Sequence, residues 1–334
     1  ANPAGLRING GGFINASGVT LTTGTPVVSG AGVDAFRVRR GSIDIGKDGL
    51  DTSGADCTRL ISQASQLQGG IWAKKLDVTV GNNDVPANGA VTATETSKGQ
   101  PLQWGIDVAE LGGMYAGKIS LISTEQGVGI NNAGQVFASA GHIKISANGE
   151  LQNSGVVVAE NKVDSAPASL NLQAKDLNNT GKILSLGDQR IQAENVNNTG
   201  LINSQGLTRI DASQGIQNVG TGQIYGDHIA LQTAHLLNAE QQTSEGVKAG
   251  TIAARQRLDI AGGKIENREQ ALIASEGSLT VGGQLNVNHM AEGSAASLDN
   301  ASARIQSVGD MYLGLDTLTN RNLHFSSSVK EIPE

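Results

Sequence analysis

The chain has 334 residues, and its 24 Lys and Arg against 31 Asp and Glu give a formal net charge of −7. Glycine contributes 45 residues, whereas aromatic residues make up only 3% of the chain. This composition is too apolar for a disordered chain and too poor in aromatic residues for an ordinary globular core. The acidic balance and the absence of a long Lys/Arg cluster argue against a nucleic-acid partner.

The sequence also lacks the signals of several other protein classes. No stretch of 18 apolar residues is present, so we expect no membrane-spanning segment. Cys57 is the single cysteine, which excludes a disulfide framework and a zinc cluster built on cysteines. The first residues have neither the basic region nor the apolar region of a signal peptide, and we expect the chain to be a piece of a longer protein.

The first 117 residues contain short apolar segments that alternate with glycine-rich turns. Period-2 patterning of this kind predicts strands at 13–15, 19–22, 36–38, 43–45 and 76–80. Residues 58–68 lack glycine and carry moderately spaced apolar residues, which makes them the one candidate helix. The segment 81–103, where Gly, Asn, Pro and Thr cluster, is expected to leave the regular structure.

A repeat of about 20 residues begins near residue 119. Its unit is Asn-x-x-Gly followed by two short apolar strands, as in 178–185 and 197–204. The steps between successive marker asparagines are 21, 26, 19, 20, 20, 29, 33 and 20 residues, so three units carry insertions, near 158–168, 239–252 and 286–298. The markers are Asn132, Asn153, Asn179, Asn198, Asn218, Asn238, Asn267, Asn300 and Asn320.

Strands of three to five residues between Gly and Asn turns leave no room for helices in a 20-residue unit. The frame of a leucine-rich repeat is absent, and a propeller blade needs about 40 residues. The repeat therefore predicts an all-β fold, a right-handed parallel β-helix with coils of about 20 residues and small hairpins outside the helix. If the whole chain coils at this period, roughly 16 coils stack at about 4.8 Å each.

The marker asparagines have two possible roles. Equivalent asparagines in successive coils can hydrogen-bond along the stack as an asparagine ladder. Alternatively, they are solvent-facing turn residues, since Asn and Gly tolerate a positive φ angle.

Motifs near the N-terminus resemble the secretion domain of two-partner secretion exoproteins. The matching segments occur in the order known for that family: Asn2-Pro3-Ala4-Gly5-Leu6, Gly10-Gly11-Gly12-Phe13-Ile14-Asn15 and Leu21-Thr22-Thr23-Gly24-Thr25-Pro26. Residues 71–76, 111–119 and 124–129 are similar to later motifs of the same domain, and the repeats resemble those of filamentous haemagglutinin. Ala4 and Leu6 depart from the family pattern N-P-N-G-I, and the family's earlier N-P-N-L motif is absent.

This resemblance carries expectations about organisation and partners. It implies that residues 1–118 are the C-terminal part of the secretion (haemagglutination activity) domain and that 119–334 are filamentous haemagglutinin-type repeats. It also implies secretion-motif roles for Asn2, Pro3, Gly5, Phe13, Ile14 and Asn15. The implied partner is an outer-membrane transporter barrel with periplasmic POTRA domains, and the implied location is the surface of a Gram-negative bacterium. Downstream regions of such proteins contact a receptor on a target cell.

Parallel β-helices can also be polysaccharide lyases or hydrolases, so the carboxylates form an alternative candidate site. The densest acidic run comprises Asp44, Asp48, Asp51 and Asp56, which could instead bind calcium or act as solvated turn residues. No repeat motif for calcium is present, and five scattered histidines lack metal-ligand spacing: His142, His228, His235, His289 and His324. We therefore expect no metal, no cofactor and no catalytic residue.

Two tryptophans and the three insertions are the remaining candidates. Trp72 and Trp104 are either sugar-stacking platforms or side chains that pack beneath a hairpin outside the helix. Cys57 is expected to be a small buried apolar residue. The insertions are candidates for partner contact, because loops that leave a rigid scaffold often carry function. Toxin delivery and adhesion, the two roles known in the family, use the same rod and are not separated by this sequence.

Overall fold

The computed structural model describes residues 1–30, 32–88, 91, 93–94, 102–161 and 167–328, and within them every regular element is a β-strand. The strands are β1 (Leu6–Ile8), β2 (Gly18–Thr22), β3 (Thr25–Ser29), β4 (Gly32–Arg37), β5 (Ser42–Ile45), β6 (Leu50–Thr52), β7 (Cys57–Ser62), β8 (Ala64–Leu67), β9 (Gly70–Val80), β10 (Asn83–Pro86), β11 (Ala93–Thr94), β12 (Trp104–Val108), β13 (Gly113–Ser123), β14 (Gly129–Asn132), β15 (Gln135–Ala147), β16 (Glu150–Asn153), β17 (Val156–Ala159), β18 (Ser169–Gln173), β19 (Asp176–Asn179), β20 (Lys182–Ser185), β21 (Asp188–Asn198), β22 (Leu201–Ser204), β23 (Leu207–Val219), β24 (Gln223–Thr243), β25 (Gly246–Ala249), β26 (Thr251–Arg268), β27 (Leu272–Ser275), β28 (Ser278–Gly282), β29 (Gln284–Leu285), β30 (Ala291–Glu292), β31 (Ala295–Ala301), β32 (Arg304–Ser307), β33 (Met311–Leu313) and β34 (Leu315–Arg321).

The strands of the coils form three parallel sheets that run along the axis of a β-helix. Sheet 1 begins with β1 and β5. Sheet 2 comprises β6, the N-terminal parts of β9, β13 and β15, then β17, β20, β22, the N-terminal parts of β24 and β26, β27 and β32. Sheet 3 comprises β2, β7, the C-terminal parts of β9, β13 and β15, then β18, the N-terminal parts of β21 and β23, the 228–233 and 257–261 parts of β24 and β26, β28 and β33. The chain visits sheet 1, sheet 2 and sheet 3 in turn, and each strand pairs with its equivalent one coil away. Long strands such as β24 and β26 bend around the corners and contribute to all three sheets. The predicted parallel β-helix with hairpins outside the helix is therefore confirmed.

Sheet 1 shows how many coils the described chain forms. Its thirteen levels are β1, β5, β8, β12, β14, β16, β19, the C-terminal parts of β21 and β23, the 235–239 and 264–268 parts of β24 and β26, and then β31 and β34. Thirteen levels span about 60 Å at the usual spacing. The expectation of roughly 16 coils was too high, because several segments leave the helix.

The core is a set of stacked aliphatic side chains inside the coils. Alternation along each strand points every second residue inward, and parallel register places identical residue types above one another. In sheet 2, for example, Ile183, Ile202 and Ile224 are in register and fully buried. Burial of each such side chain contributes about 1.5–3 kcal/mol.

The nine marker asparagines form one continuous ladder inside the coils. Each side-chain Nδ2 donates a hydrogen bond to Oδ1 of the next asparagine, at distances of 2.7–2.9 Å from Asn132 to Asn320. In most rungs the same Nδ2 also donates to backbone carbonyls, as Asn198 does to Gly200 and Gln223. The asparagines from Asn153 to Asn267 are fully buried, so the ladder satisfies polar groups that water does not reach.

The ladder has a defined start. The equivalent position in the earlier coils is apolar: Ile8, Ile45, Leu67 and then Val108, which is in register with Asn132. Val108 has no side-chain donor, and Oδ1 of Asn132 is buried without a hydrogen-bond partner. The interior of the helix therefore changes from an apolar stack to an amide stack between these two coils.

The turns that follow several of the ladder asparagines contain a glycine, because successive coils approach too closely there for a side chain. A Cβ atom on Gly155 would lie 2.0 Å from the carbonyl oxygen of Gly134, and one on Gly181 would lie 2.0 Å from that of Gly155. Neither these glycines nor the ladder asparagines have a positive φ angle. At these two turns the close approach of successive coils, and not a positive φ angle, imposes the glycine. The turns after Asn218, Asn267 and Asn300 do contain residues with a positive φ angle, as expected: Gly220, Glu269, Gln270 and Ser302.

Two local predictions are also wrong. Residues 58–68 are the strands β7 and β8, not a helix, because Leu60 and Leu67 are inward residues of adjoining faces of the coil. Residues 13–15 form a turn with exposed side chains, not a strand. In both cases local composition is a weaker constraint than pairing with the next coil.

Within the described residues, one small sheet and two hairpins leave the helix. Strands β3, β4, β10 and β11 form an antiparallel sheet, and beneath it Val38, Ile61 and Val85 form a small separate core. This sheet lies partly in the predicted excursion 81–103, other residues of which are outside the described ones. The insertions near 239–252 and 286–298 contain the hairpins β24–β25 and β29–β30, whereas that near 158–168 is only partly described.

Candidate functional site at the N-terminal coil

The first coil of this chain comprises β1, the segment around Gly12 and β2. β1 pairs with β5, Gly12 bridges to Asp51, and β2 pairs with β7. Each of these contacts is with the second coil, and no other strand of the described chain pairs with β1 or β2. The first coil is thus held to the second on each side of the β-helix.

Asn2, Pro3 and Gly5 form a turn that fixes the start of the coil. The Asn2 backbone N–H donates to the Thr22 carbonyl at 2.9 Å, and the Asn2 side chain accepts from the Ala4 N–H at 3.1 Å. Gly5 has a φ angle of 124°, a conformation that L residues with a side chain rarely adopt. The turn therefore closes the first coil without contributing to the core.

Phe13, Ile14 and Asn15 follow the three glycines and project into solvent. Phe13 is 40% exposed and Ile14 is 89% exposed, although both are large apolar residues. Asn15 has a φ angle of 58°, in the left-handed region that asparagine tolerates. The structure thus brings Phe13–Asn15 to the same coil as the Asn2 turn, at two of its corners.

A small hydrogen-bond pair supports this coil and was not found from the sequence. The Asn9 side chain donates to Oδ2 of Asp48 at 2.7 Å and accepts from the Asp48 N–H at 3.2 Å. The two residues are 39 positions apart, and the pairing of β1 with β5 brings them together. Asp48, a member of the acidic run, therefore holds the glycine segment to the second coil.

The other three acidic residues of that run lie in separate surroundings. Asp56 accepts from Lys74 Nζ at 2.9 Å. Asp51 is exposed, and hydrogen bonds from the Ser53 side chain and backbone lower the pKa of its carboxyl group. Asp44 lies on sheet 1, where its Oδ1 is buried without a partner. The four carboxylates do not converge on one cleft, which disfavours a polysaccharide-cleaving site.

The histidines lie on different parts of the rod. His228 and His235 bond to carboxylates on sheets 3 and 1, respectively, and His142 contacts Ser169. His324 bonds to Glu269, and His289 lies in the β29–β30 hairpin. Within the described ranges no three His, Cys, Asp or Glu side chains are close enough to hold a metal ion.

The tryptophans cover glycines on the outer faces. Trp72 stacks on Tyr115 with ring centroids 6.0 Å apart, and a Cβ on Gly70 would lie 2.6 Å from the Trp72 ring. The Trp104 ring approaches Gly129 in the same way. Trp72 is 44% exposed, so the alternative that it is buried beneath a hairpin does not hold for this residue. Since the Trp72 ring faces Tyr115, it offers little free face for a sugar.

Cys57 is half-buried rather than fully buried, with its Sγ 3.7 Å from Oδ2 of Asp77. Burial, followed by the charge of Asp77, raises the pKa of the thiol. A thiol with a raised pKa is a poor nucleophile, which fits a structural residue. Among the described residues, no helix is long and apolar enough to cross a membrane.

A charged cluster on sheet 3 has no signal in the sequence. Asp259 is fully buried and accepts hydrogen bonds from His228 at 2.9 Å, from Arg257 at 2.6 Å and from the Ala291 N–H at 2.8 Å. Burial raises the pKa of this carboxyl group, but the three hydrogen bonds outweigh it and lower the pKa overall. Its members come from β24, β26 and the β29–β30 hairpin, so no local motif marks it.

Comparison with known proteins identifies the N-terminal half of the chain. Residues 1–153 match the model of the TPS secretion domain. The chain is 47% identical over 158 residues to "Toxin CdiA" of Yersinia pestis, which is 47% of this chain and 5% of that protein. It is 31% identical over 317 residues to "tRNA nuclease CdiA" of Yersinia mollaretii, which is 84% of this chain and 11% of that protein.

A solved structure also matches. The crystal structure of the filamentous hemagglutinin secretion domain is 24% identical and aligns over 63% of this chain and 60% of that chain, with a TM-score of 0.37. The chain spans at most about a tenth of the length of the two CdiA proteins. Residues 1–153 are thus a TPS secretion domain, and the chain belongs to the family of two-partner secretion exoproteins that includes the CdiA proteins.

Proposed function

We propose that the first coil is the surface by which an outer-membrane transporter recognises this chain, and that the coils below it form a rigid stalk. The observation that carries this proposal is the exposure of Phe13 and Ile14 on the first coil of this chain. Large apolar side chains held in solvent by a rigid turn contribute nothing to the core and suit contact with a partner.

The transporter in this proposal is a barrel with periplasmic POTRA domains. Asn2, Pro3 and Gly5 shape the turn at one corner, and Phe13, Ile14 and Asn15 supply the contact at another. The chain crosses the membrane unfolded and then winds into the helix outside the cell. Because each coil pairs only with its neighbours, folding can propagate from one end.

The proposal divides the chain at residues 118 and 119. The change from Val108 to Asn132 at one position of the interior supports a division of this kind, although the family match extends to residue 153. In the proposal, residues 1–118 serve recognition and residues 119–334 serve as the stalk. The asparagine ladder gives that stalk its rigidity, since each rung fixes the register of two coils.

We further propose that the parent protein acts in contact-dependent growth inhibition at the surface of a Gram-negative bacterium, associated with the outer membrane. The relatives named as toxins and nucleases support this role. Residues 1–334 act in it without catalysis, and other regions carry the toxin and contact the target-cell receptor. Adhesion is the second candidate, because the same rod serves filamentous haemagglutinin.

Replacement of Phe13 and Ile14 by serine is expected to reduce secretion at least about tenfold, comparable to the loss of a binding hot spot. Secretion is measured as the amount of the full parent protein outside cells that express the transporter. The control is Leu186→Ser with Val308→Ser, two exposed apolar residues far from the first coil. Equal secretion of the wild type and the Phe13/Ile14 variant, with both folded, would remove the first coil from recognition.

The role of the parent protein is tested by competition between cells. Producers are mixed with siblings that lack any immunity protein, beside producers without the transporter. Transporter-dependent killing on contact supports toxin delivery, whereas loss of attachment without killing supports adhesion. Secretion that does not require the transporter contradicts the two-partner mechanism itself.

A further inference from the structure

The hairpin β29–β30 lies across the outer face of sheet 3 and is held there by polar contacts at three points. The Leu285 N–H donates to Oε1 of Gln232 at 2.8 Å, and the Ala291 N–H donates to Oδ1 of Asp259 at 2.8 Å. The third point is the turn, where Arg209 Nη1 donates to Nδ1 of His289 at 2.6 Å.

The tip of the hairpin is rigid and exposes an apolar side chain. Oδ1 of Asn286 accepts from the backbone N–H groups of Asn288 at 2.9 Å and Met290 at 3.1 Å. Val287, between Asn286 and Asn288, is 91% exposed, and His289 has a φ angle of 62°. Apolar packing therefore contributes little to holding this tip, and the polar contacts with sheet 3 hold it instead.

The Arg209 contact requires a neutral imidazole. Three hydrogen bonds of 2.9–3.1 Å to Asp211 fix the Arg209 guanidinium, which remains charged at any physiological pH. Nδ1 of His289 accepts from this group only when it carries no proton. Protonation at Nδ1 replaces a hydrogen bond with contact between two cations.

We propose that the β29–β30 hairpin is an acid-released strap, closed on sheet 3 while His289 is neutral and opened when His289 is protonated. The charged groups that act on the histidine are Arg209 and Asp211 on β23, Arg190 on β21 and His228 on β24, three bases against one carboxylate. On β26 the Arg257–Asp259 pair contacts the hairpin at Ala291, and on β30 Glu292 contacts Gln284 within the hairpin.

The titration of His289 supports this direction. Burial, together with the charges of Arg209, His228 and Arg190, lowers the pKa of His289 from its ordinary value of 6.5, and Asp211 only partly offsets this. In the open hairpin the pKa of His289 returns toward 6.5. Below that pH the open form binds more protons than the closed form, so closure is complete above pH 6.5 and weakens as the pH falls. The lowered pKa of Asp259 keeps its contact with Ala291 intact in the same range.

The test is amide hydrogen exchange of the 334-residue chain at pH 7.5 and 5.5, corrected for the intrinsic effect of pH on exchange. The amides of Leu285 and Ala291 report on the strap. We expect their protection to fall severalfold at pH 5.5, with no change in β25. The hairpin β24–β25 is a matched reference, because residues 240–249 contain no histidine.

Two substitutions of His289 separate charge from shape. His289→Asn keeps a neutral acceptor near the Nδ1 position and tolerates the left-handed backbone, so its strap is expected to stay closed at both pH values. His289→Lys is cationic throughout and is expected to be open at both. Protection that is independent of pH in the wild type, or that falls equally in His289→Asn, overturns the proposal. A third outcome would also overturn the proposal: if His228→Gln, and not His289→Asn, abolishes the pH-dependent loss of protection, the switch is His228.

Discussion

Replacement of Asn198 by valine is expected to lower the free energy of unfolding by about 2–4 kcal/mol. Asn198 Nδ2 is the donor to Oδ1 of Asn218 at 2.8 Å, and valine leaves that buried oxygen without a partner. The Gly200 and Gln223 carbonyls lose the same donor, and Asn179 loses its acceptor one coil above. Unfolding in guanidinium chloride, followed by circular dichroism, measures the change.

Asn132→Val is the matched control and is expected to cost about 1 kcal/mol or less. It removes an Oδ1 that is already unpaired and leaves that of Asn153 unpaired instead, so the number of unsatisfied oxygens is unchanged. The new valine also contacts Val108 in the coil above, where the interior is apolar. Equal losses for Asn132→Val and Asn198→Val would show that the asparagines act by packing alone and that the ladder contributes no stability.

The repeat could be predicted from the sequence because equivalent positions in successive coils have the same surroundings. The same residue type is therefore selected about every 20 residues. Asn179 and Asn198 occupy equivalent places in nearly identical segments, and this periodicity was enough to predict a parallel β-helix. The motif residues Phe13 and Ile14 were recognisable by resemblance. Their exposure was not, since apolar residues in a row equally suit a buried strand.

The contacts that the excursions make with the coils could not be predicted from the sequence. Val38 reads as part of a strand of the helix, yet it lies beneath the antiparallel sheet with Ile61 and Val85. His289 contacts Arg209, which is 80 residues away, only because an insertion folds back across four coils. Insertions break the period, and contacts across them leave no regular spacing to detect.

The glycines of the repeat were visible as a pattern, but their physical reason was not. Both a positive φ angle and a close approach of backbones select glycine. Gly181 has no positive φ, and its neighbour is the carbonyl oxygen of Gly155 in the adjacent coil. Only the structure distinguishes a positive φ angle from a close backbone approach, because both select glycine in the sequence.

Gly181→Ala is accordingly expected to destabilise the helix by about 3 kcal/mol, at the upper end of the range for overpacking. The added Cβ would lie 2.0 Å from the Gly155 carbonyl oxygen and 2.6 Å from the Ser154 carbonyl carbon. Both are backbone atoms, so relief requires two coils to separate. That separation lengthens the neighbouring rung between Asn153 and Asn179, and amide exchange around this rung should rise together with the loss of stability.

Gly215→Ala distinguishes this crowding from a general cost of removing glycine. The nearest atom to a Cβ on Gly215 is the His235 carbonyl oxygen at 3.6 Å, an ordinary contact, and the residue has no positive φ. Alanine there restricts the unfolded chain without straining the folded one, so the free energy of unfolding is expected to stay unchanged or rise by about 0.4–1 kcal/mol. A Gly181→Ala variant as stable as Gly215→Ala would mean that the coils separate at little cost, which is incompatible with a rigid stalk.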